Sequence, residues 1–322
     1  MRLVVLGGTG FVGRSIVREL ASGGHDVLVL HRGQTEPESE VATPNVIHIH
    51  GSRAQFENLW EQISGSPPEG LIDVAAYTRR DAVTVLGSVP TTIRLVALSS
   101  MDVYRASGAL RGQASQDAVP LDESAPVRDT RYIYRNKQKP NDDYEKLDVE
   151  DEYLRRGATL LRLPMIYGEH DDSRREEFIL RRCRARRDRI PVGSGTLLWS
   201  RGYVGDIARA ARLAIESDAE AEIFNVCESR TWTIGQWARR IANAAAWQGG
   251  FVRVPDDRLP DDMRLTSSFE QHLLFDASKA RQALGWIDTD PQVALEASVG
   301  WHLAHPPGAS DDFTADEIAL RR

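Results

Sequence analysis

The chain has 322 residues, a net charge of −7, and 41% apolar and 27% charged residues. That length exceeds one small core, the composition excludes a largely disordered chain, and the acidity gives no general pull toward nucleic acid or an anionic membrane. No apolar run reaches the ~20 residues of a membrane span, a first strand starting at Arg2 leaves no room for a cleavable leader, and Cys183 and Cys227 make neither a disulfide framework nor a metal spacing, so a cytoplasmic protein is expected.

Leu3, Val4, Val5 and Leu6 predict a buried strand, and Val12, Ile16 and Leu20 predict one face of a helix. Between them stand Gly7, Gly10 and Gly13. A strand feeding a glycine turn that opens a helix is a dinucleotide-binding layout. Gly7 permits the tight turn, Gly10 lets a pyrophosphate approach the backbone, and Gly13 lets the helix pack close to the sheet. The helix N-terminus adds free N–H groups for the phosphates. A purely structural glycine turn is the plain alternative.

After Gly23-Gly24, HDVLVL predicts a second strand. An acid at its end would bind the adenosine ribose hydroxyls, but the chain has His31 and Arg32. Arg32 can pair with a 2′-phosphate, which favours NADP; the alternative is NAD, its ribose held by backbone. VIHIH predicts a third strand with His48 and His50 on one face. No third ligand accompanies them, so they read as partly buried strand histidines rather than a metal site. A helix around Phe56, Leu59, Trp60 and Ile63, a strand LIDVAAY, a short helix from Arg79 to Leu86 and a strand IRLVALSS follow. This alternation predicts an α/β fold, a Rossmann-type doubly wound parallel sheet.

From Arg105 to Asn141 the periodicity dissolves, as expected of a functional loop. A helix from Glu145 to Arg155 and a strand in ATLLRLPMIYG come next. Arg174, Arg175, Arg181, Arg182, Arg184, Arg186, Arg187 and Arg189 then crowd another helix, either a solvated charged face or a site for an anionic substrate. Without interleaved aromatics they do not suggest nucleic acid. A helix after Tyr203, a strand EIFNV, a helix from Ile234 to Ala245, a strand FVRV and the segments FDASKARQALGW and PQVALEASVGWHLA predict a smaller C-terminal α/β substrate lobe. The expected division is 1–164 with 204–226 for dinucleotide binding and 165–203 with 227–305 for the substrate lobe. Residues 306–322 are expected to form a loosely held polar tail.

Five pieces in order resemble the extended short-chain dehydrogenase/reductases of the NAD-dependent epimerase/dehydratase family, over roughly Met1 to Pro307. GGTGFVG carries the glycine spacing, LSSMDVY resembles SSxxVY, RLPMIYG resembles RPxxVYG, YVGDIARA resembles VxDxARA, and FNV and SKARQALGW fall where the family has them. The resemblance implies a bound NAD(P), with Thr9, Phe11, Val12, Ala75, Ala76 and Pro164 joining the three glycines, His31 and Arg32 around it. It implies that Ser100 hydrogen-bonds the reacting oxygen, that a tyrosine moves the proton, and that Lys146 lowers that tyrosine's pKa and holds the nicotinamide ribose.

The usual Tyr-x-x-x-Lys spacing puts both side chains on one helical face. Here Asp142 stands four before Lys146, and Tyr144 only two before, about 200° around a regular helix. Tyr144 is therefore expected to reach the site from non-helical backbone, with Tyr132 and Tyr134 as rival phenols. Asp102 occupies an acid position of the family's dehydratases, and either handles a proton or caps the loop after the fifth strand. Met165 and Trp199 stand where nucleotide-sugar members carry an Asn and an Arg for the substrate diphosphate, which weighs against such a sugar. The expected function is an NAD(P)-dependent epimerase, dehydratase or reductase acting on a polar, sugar-derived or anionic small molecule. The alternatives are a non-catalytic NAD(P)-binding sensor and a hydride-neutral isomerase or lyase with a tightly held cofactor. A homodimer through helices flanking the sheet is also implied, and no metal is expected.

Overall fold

The structure is a computed structural model that describes residues 1–33, 44–63, 65–136, 142–218, 221–308 and 312–321. In chain order its first half comprises β1 (Arg2–Leu6), α1 (Phe11–Ser22), β2 (Asp26–His31), β3 (Val46–His50), α2 (Phe56–Ile63), β4 (Gly70–Asp73), α3 (Arg79–Leu86), β5 (Arg94–Ser100), α4 (Lys146–Arg155) and β6 (Thr159–Leu163). The remainder comprises β7 (Met165–Tyr167), α5 (Glu177–Arg184), β8 (Arg189–Val192), β9 (Arg201–Tyr203), α6 (Val204–Glu216), β10 (Ile223–Asn225), α7 (Ile234–Ala244), β11 (Gly250–Arg253), α8 (Ser278–Leu284), α9 (Pro291–Ala304) and α10 (Thr314–Leu320).

The apolar run Leu3 to Leu6 is buried on both faces, as a central parallel strand requires. It is one of seven parallel strands in the order β3-β2-β1-β4-β5-β6-β10. Leu3, Val5, Ile16, Val17, Leu20, Ile207 and Ala211 pack α1 and α6 against one face. Val4, Leu6, Phe56, Trp60, Val85, Val149 and Tyr153 pack α2, α3 and α4 against the other. The predicted doubly wound sheet is therefore what forms. Its strand order reverses between β1 and β4, and their carboxyl ends open the crevice where such sheets bind ligands.

A third core joins Met165, Tyr167, Ile179, Leu180, Trp237, Ile241, Leu295 and Val299. It lies among α5, α7, α9 and two small parallel pairs, β7 with β9 and β8 with β11. Sequence order assigns 227–305 to this second lobe, but Leu273, Phe275, Ala280 and Trp286 pack in the first core. The Trp286 indole also donates to the Asp206 carbonyl at 2.9 Å. No helix among the described residues is long and apolar enough to cross a membrane.

The arginine-rich segment is divided: Arg175, Arg186 and Arg189 are exposed, as a solvated face requires, while the others are paired with carboxylates. Arg182 is completely buried on α5 and donates to both Asp316 carboxylate oxygens (2.6 and 2.7 Å) and both of Asp262 (2.7 and 3.1 Å). Arg181 pairs with Asp262, Arg187 with Glu317, and Arg174 and Arg184 with Glu177. The guanidinium groups of Arg181 and Arg187 also lie over the Phe313 ring. The polar stretch expected to be loosely held is thus docked on the second lobe through α10. Removing one member of a buried pair strands the other charge, at a cost of roughly 3–5 kcal/mol. Asp316→Ala is therefore expected to lower the urea midpoint by a corresponding amount, whereas Arg264→Ala, whose partner Asp261 is exposed, leaves it nearly unchanged.

Candidate active site

Four strand ends meet at the crevice. β1 passes into Gly7, β4 precedes Ala75 and Ala76, β5 ends at Ser100, and β6 ends before Pro164. Gly7 has φ +81°, and a Cβ there would lie 2.8 Å from the Ala75 Cβ. A Cβ on Gly13 would lie 2.1 Å from the Gly7 carbonyl oxygen, so helix and turn touch only because it is absent. Gly10 is different: its Cβ would find its nearest neighbour at 3.9 Å. Internal packing makes no demand there, and the open backbone fits the approach of a phosphate. Gly10 caps α1 with no side-chain hydrogen bond and no acid in the first turn, so the helix dipole and its first N–H groups suit a pyrophosphate. Thr9, Phe11 and Val12 flank this cradle half-buried.

At the end of β2 the two residues predicted for the adenosine end part company. Arg32 is exposed, whereas His31 is buried. The His31 Nδ1 accepts the Gly33 N–H at 3.2 Å, its Nε2 lies 3.2 Å from the His48 Nδ1, and its ring meets those of His48 and His50 edge-on. Burial lowers the His48 pKa and the His50 charge adds to the effect. Among the described residues no three His, Cys, Asp or Glu side chains form a metal-binding group.

The catalytic candidates collect where β5 gives way to its loop. The Ser100 Oγ accepts the Asp102 N–H at 3.2 Å, so the serine caps this turn and the aspartate does not. The Asp102 Oδ2 receives the Tyr134 hydroxyl at 3.2 Å and the Tyr144 hydroxyl at 3.4 Å, while its buried Oδ1 has no partner. Tyr144 precedes α4, whose N-cap Glu145 is extended at φ −155°. It therefore enters from non-helical backbone, and its ring stacks on Tyr77 and meets Tyr134 edge-on. Of the rival phenols, Tyr134 joins the site, while Tyr132 turns away to Asp148. Asp142 is exposed and accepts the Asn136 N–H.

Lys146 opens α4 and is buried, its Nζ donating to the Ala76 carbonyl at 2.6 Å and the Leu98 carbonyl at 2.8 Å. Burial lowers its pKa to about 8, against the upward pull of Asp73, Asp102 and Glu150. Burial raises Asp102, opposed by Arg128, Lys146, Tyr134 and Arg111. Tyr144 is pushed well above an ordinary phenol, first by burial and then by the Asp102 charge. The expected tyrosine lowered by its lysine is thus not found: the phenol's ionic neighbour is a carboxyl, and the ammonium is taken up by backbone carbonyls.

Two supporting groups escape a reading of the sequence. Asp73 is buried under a bidentate pair with Arg53 and accepts the Tyr153 hydroxyl and the Ala75 N–H, which shapes the turn after β4. Its signal is an acid inside the apolar strand LIDVAAY. Arg128 and Glu145 form a buried bidentate pair, and nothing local in the sequence marks it.

The family model for the NAD-dependent epimerase/dehydratase family matches residues 3–227. The chloroplast stem-loop binding protein of 41 kDa b from Arabidopsis thaliana is 25% identical over 346 residues, covering 100% of this chain and 84% of that protein. The solved UDP-glucose 4-epimerase of Thermotoga maritima with UDP-glucose has a TM-score of 0.69 at 20% identity, covering 95% of this chain and 99% of the other. The dTDP-glucose 4,6-dehydratase of Bacillus anthracis in complex with NAD has a TM-score of 0.72 at 16% identity, covering 94% and 97%.

Lys146 links the site to stability. Its pKa is about 8 when folded and 10.5 ordinarily. Between those values the unfolded chain holds the extra proton, so stability rises with pH from about 8 until tyrosines ionise near pH ~10. Lys146→Met is expected to remove that rise, measured as urea midpoints across this window.

Proposed function

The chain belongs to the NAD-dependent epimerase/dehydratase family, and from that premise we propose that it is an NAD(P)-dependent oxidoreductase-type enzyme acting at a hydroxyl- or carbonyl-bearing carbon of a polar, sugar-like small molecule. The observation that carries this reading is the Asp102 carboxyl. It lies two residues past the end of β5 and receives two phenols, while its second oxygen is buried with no partner. The glycine cradle and the α1 N-terminus would hold the dinucleotide phosphates, and Ala75, Ala76, Pro164 and the remaining N–H of Lys146 would border the nicotinamide ribose. When bound, that cofactor supplies hydride transfer at its nicotinamide ring.

Ser100 orients the reacting oxygen through its hydroxyl. Tyr144, kept protonated by burial and by Asp102, donates a hydrogen bond or a proton to that oxygen. Asp102, itself raised by burial, exchanges the proton through the phenol or takes one from the carbon chain through Oδ1. Two acids pushed apart from their ordinary values in one cleft can divide the acid and base roles. A base of this kind suits epimerisation or elimination better than simple carbonyl reduction. Stem-loop binding, which names the Arabidopsis relative, is not carried over. The chain is acidic overall, and Arg174, Arg181, Arg182, Arg184 and Arg187 are paired with carboxylates.

Tyr144→Phe and Asp102→Asn are each expected to cut turnover about a hundredfold or more while NAD(P)H binding, followed by fluorescence, stays at the parental level. A Phe variant with parental turnover transfers the proton role to Tyr134. The exposed Arg32 supports NADP as the preferred cofactor. Arg32→Ala should weaken NADP binding about tenfold and leave NAD unchanged, and an equal loss for both would remove that preference.

A further inference from the structure

Arg111 closes the short 3-10 segment Arg105–Arg111 that follows β5, just before Gly112 turns the chain at φ +74°. The preceding Leu110 packs against both the first core and the second-lobe core, which places this turn where the lobes meet. The Arg111 charge reaches Asp102 and Tyr134. Its Nε and Nη2 are buried and have no hydrogen-bond partner, and among the described residues no carboxylate forms an ion pair with it. Buried guanidinium donors are rarely left this way, because each unmade bond costs desolvation with no return. The Arg182 and Arg162 guanidinium groups, by contrast, are consumed by carboxylates. Arg201 also has Nε and Nη2 without a partner, but its Nη1 donates to the Trp232 carbonyl and its guanidinium lies over the Trp237 ring, away from Asp102 in the second-lobe core.

The two orphaned Arg111 atoms are also the right pair. Nε and Nη2 present the parallel N–H bonds of one guanidinium edge, which match the two oxygens of a carboxylate. Nearby, the Asp102 Oδ1 is a buried acceptor without a donor. A ligand that satisfies both needs a planar oxyanion and, a few atoms away, a hydroxyl. Resting on the function proposed above, we propose that Arg111 is the specificity-determining anchor for a carboxylate on the substrate, which is a hydroxy acid of the sugar-acid type. The carboxylate takes the Arg111 edge and the substrate hydroxyl donates to Asp102. Arg111 takes no part in bond making, and its role is selection and placement.

The test titrates the NADH-loaded protein calorimetrically with D-glucuronate, D-gluconate and L-lactate. Each is paired with its uncharged counterpart, D-glucose, D-sorbitol and propane-1,2-diol, and D-glucose 6-phosphate is included as a phosphate arm. The parent should bind at least one carboxylate ten times or more tighter than its neutral counterpart. Arg111→Gln should abolish that difference without changing NADH affinity or the melting temperature. Arg111→Lys, which keeps the charge and loses the parallel edge, should recover only part of it. Preference for the phosphate over every carboxylate, no discrimination within any pair, or a Gln variant that discriminates like the parent would overturn the assignment. Where NADH does not bind, NADPH takes its place in every arm, and failure of the parent to bind either one is a separate result that counts against the dinucleotide reading, not against Arg111.

Discussion

A buried ion pair between Arg128 and Glu145 holds the site in one piece. Glu145 caps α4 by accepting the Leu147 N–H and also takes the Tyr132 N–H, while Arg128 donates to the carbonyls of Asp102 and Thr130. Three segments remote in sequence are thereby fastened to one another: the turn after β5, the long loop and the start of α4. Neither partner can leave alone, since the charge left behind would stay desolvated. Asp102, Tyr134 and Tyr144 come from those same three segments, so the pair fastens the backbone that brings them within reach of the hydrogen bonds they make to one another.

Because Glu145 is extended and helical geometry starts only at Lys146, the tyrosine and lysine are not neighbours on a helical face. They serve different partners. Lys146 reaches back to the carbonyls of β5 and the β4 turn, and Tyr144 reaches across to Asp102. Proton affinity in the cleft is accordingly governed by burial and a carboxyl, a different electrostatic arrangement from a phenol activated by an ammonium.

What could be read from the sequence follows the range of the interactions involved. The β1 run, the glycine turn and the α1 face are local patterns, and each forms where its spacing places it. The alternation of strands and helices sufficed for the doubly wound sheet. Tyr144 was recognisable as a displaced phenol, but its direction depended on the conformation of Glu145. The arginine cluster misled because the carboxylates that answer it, Asp262 and Asp316, lie 80 and 134 residues further on from Arg182. The buried pairs Arg53–Asp73 and Arg128–Glu145 were invisible for the same reason, as pairing across space leaves no periodicity. The missing partner of the Arg111 edge is likewise a matter of what lies beside it in space, which no local pattern records.

The docking of α10 bears on how the molecule is made. During synthesis α5 leaves the ribosome carrying a guanidinium that must end up fully enclosed, yet its two carboxylates are translated 80 and 134 residues later. Until then, closing the second lobe would bury an unanswered cation. Closing the lobe before Asp316 is made would thus carry a cost that the seven-stranded sheet does not meet, since its last strand is complete at Asn225.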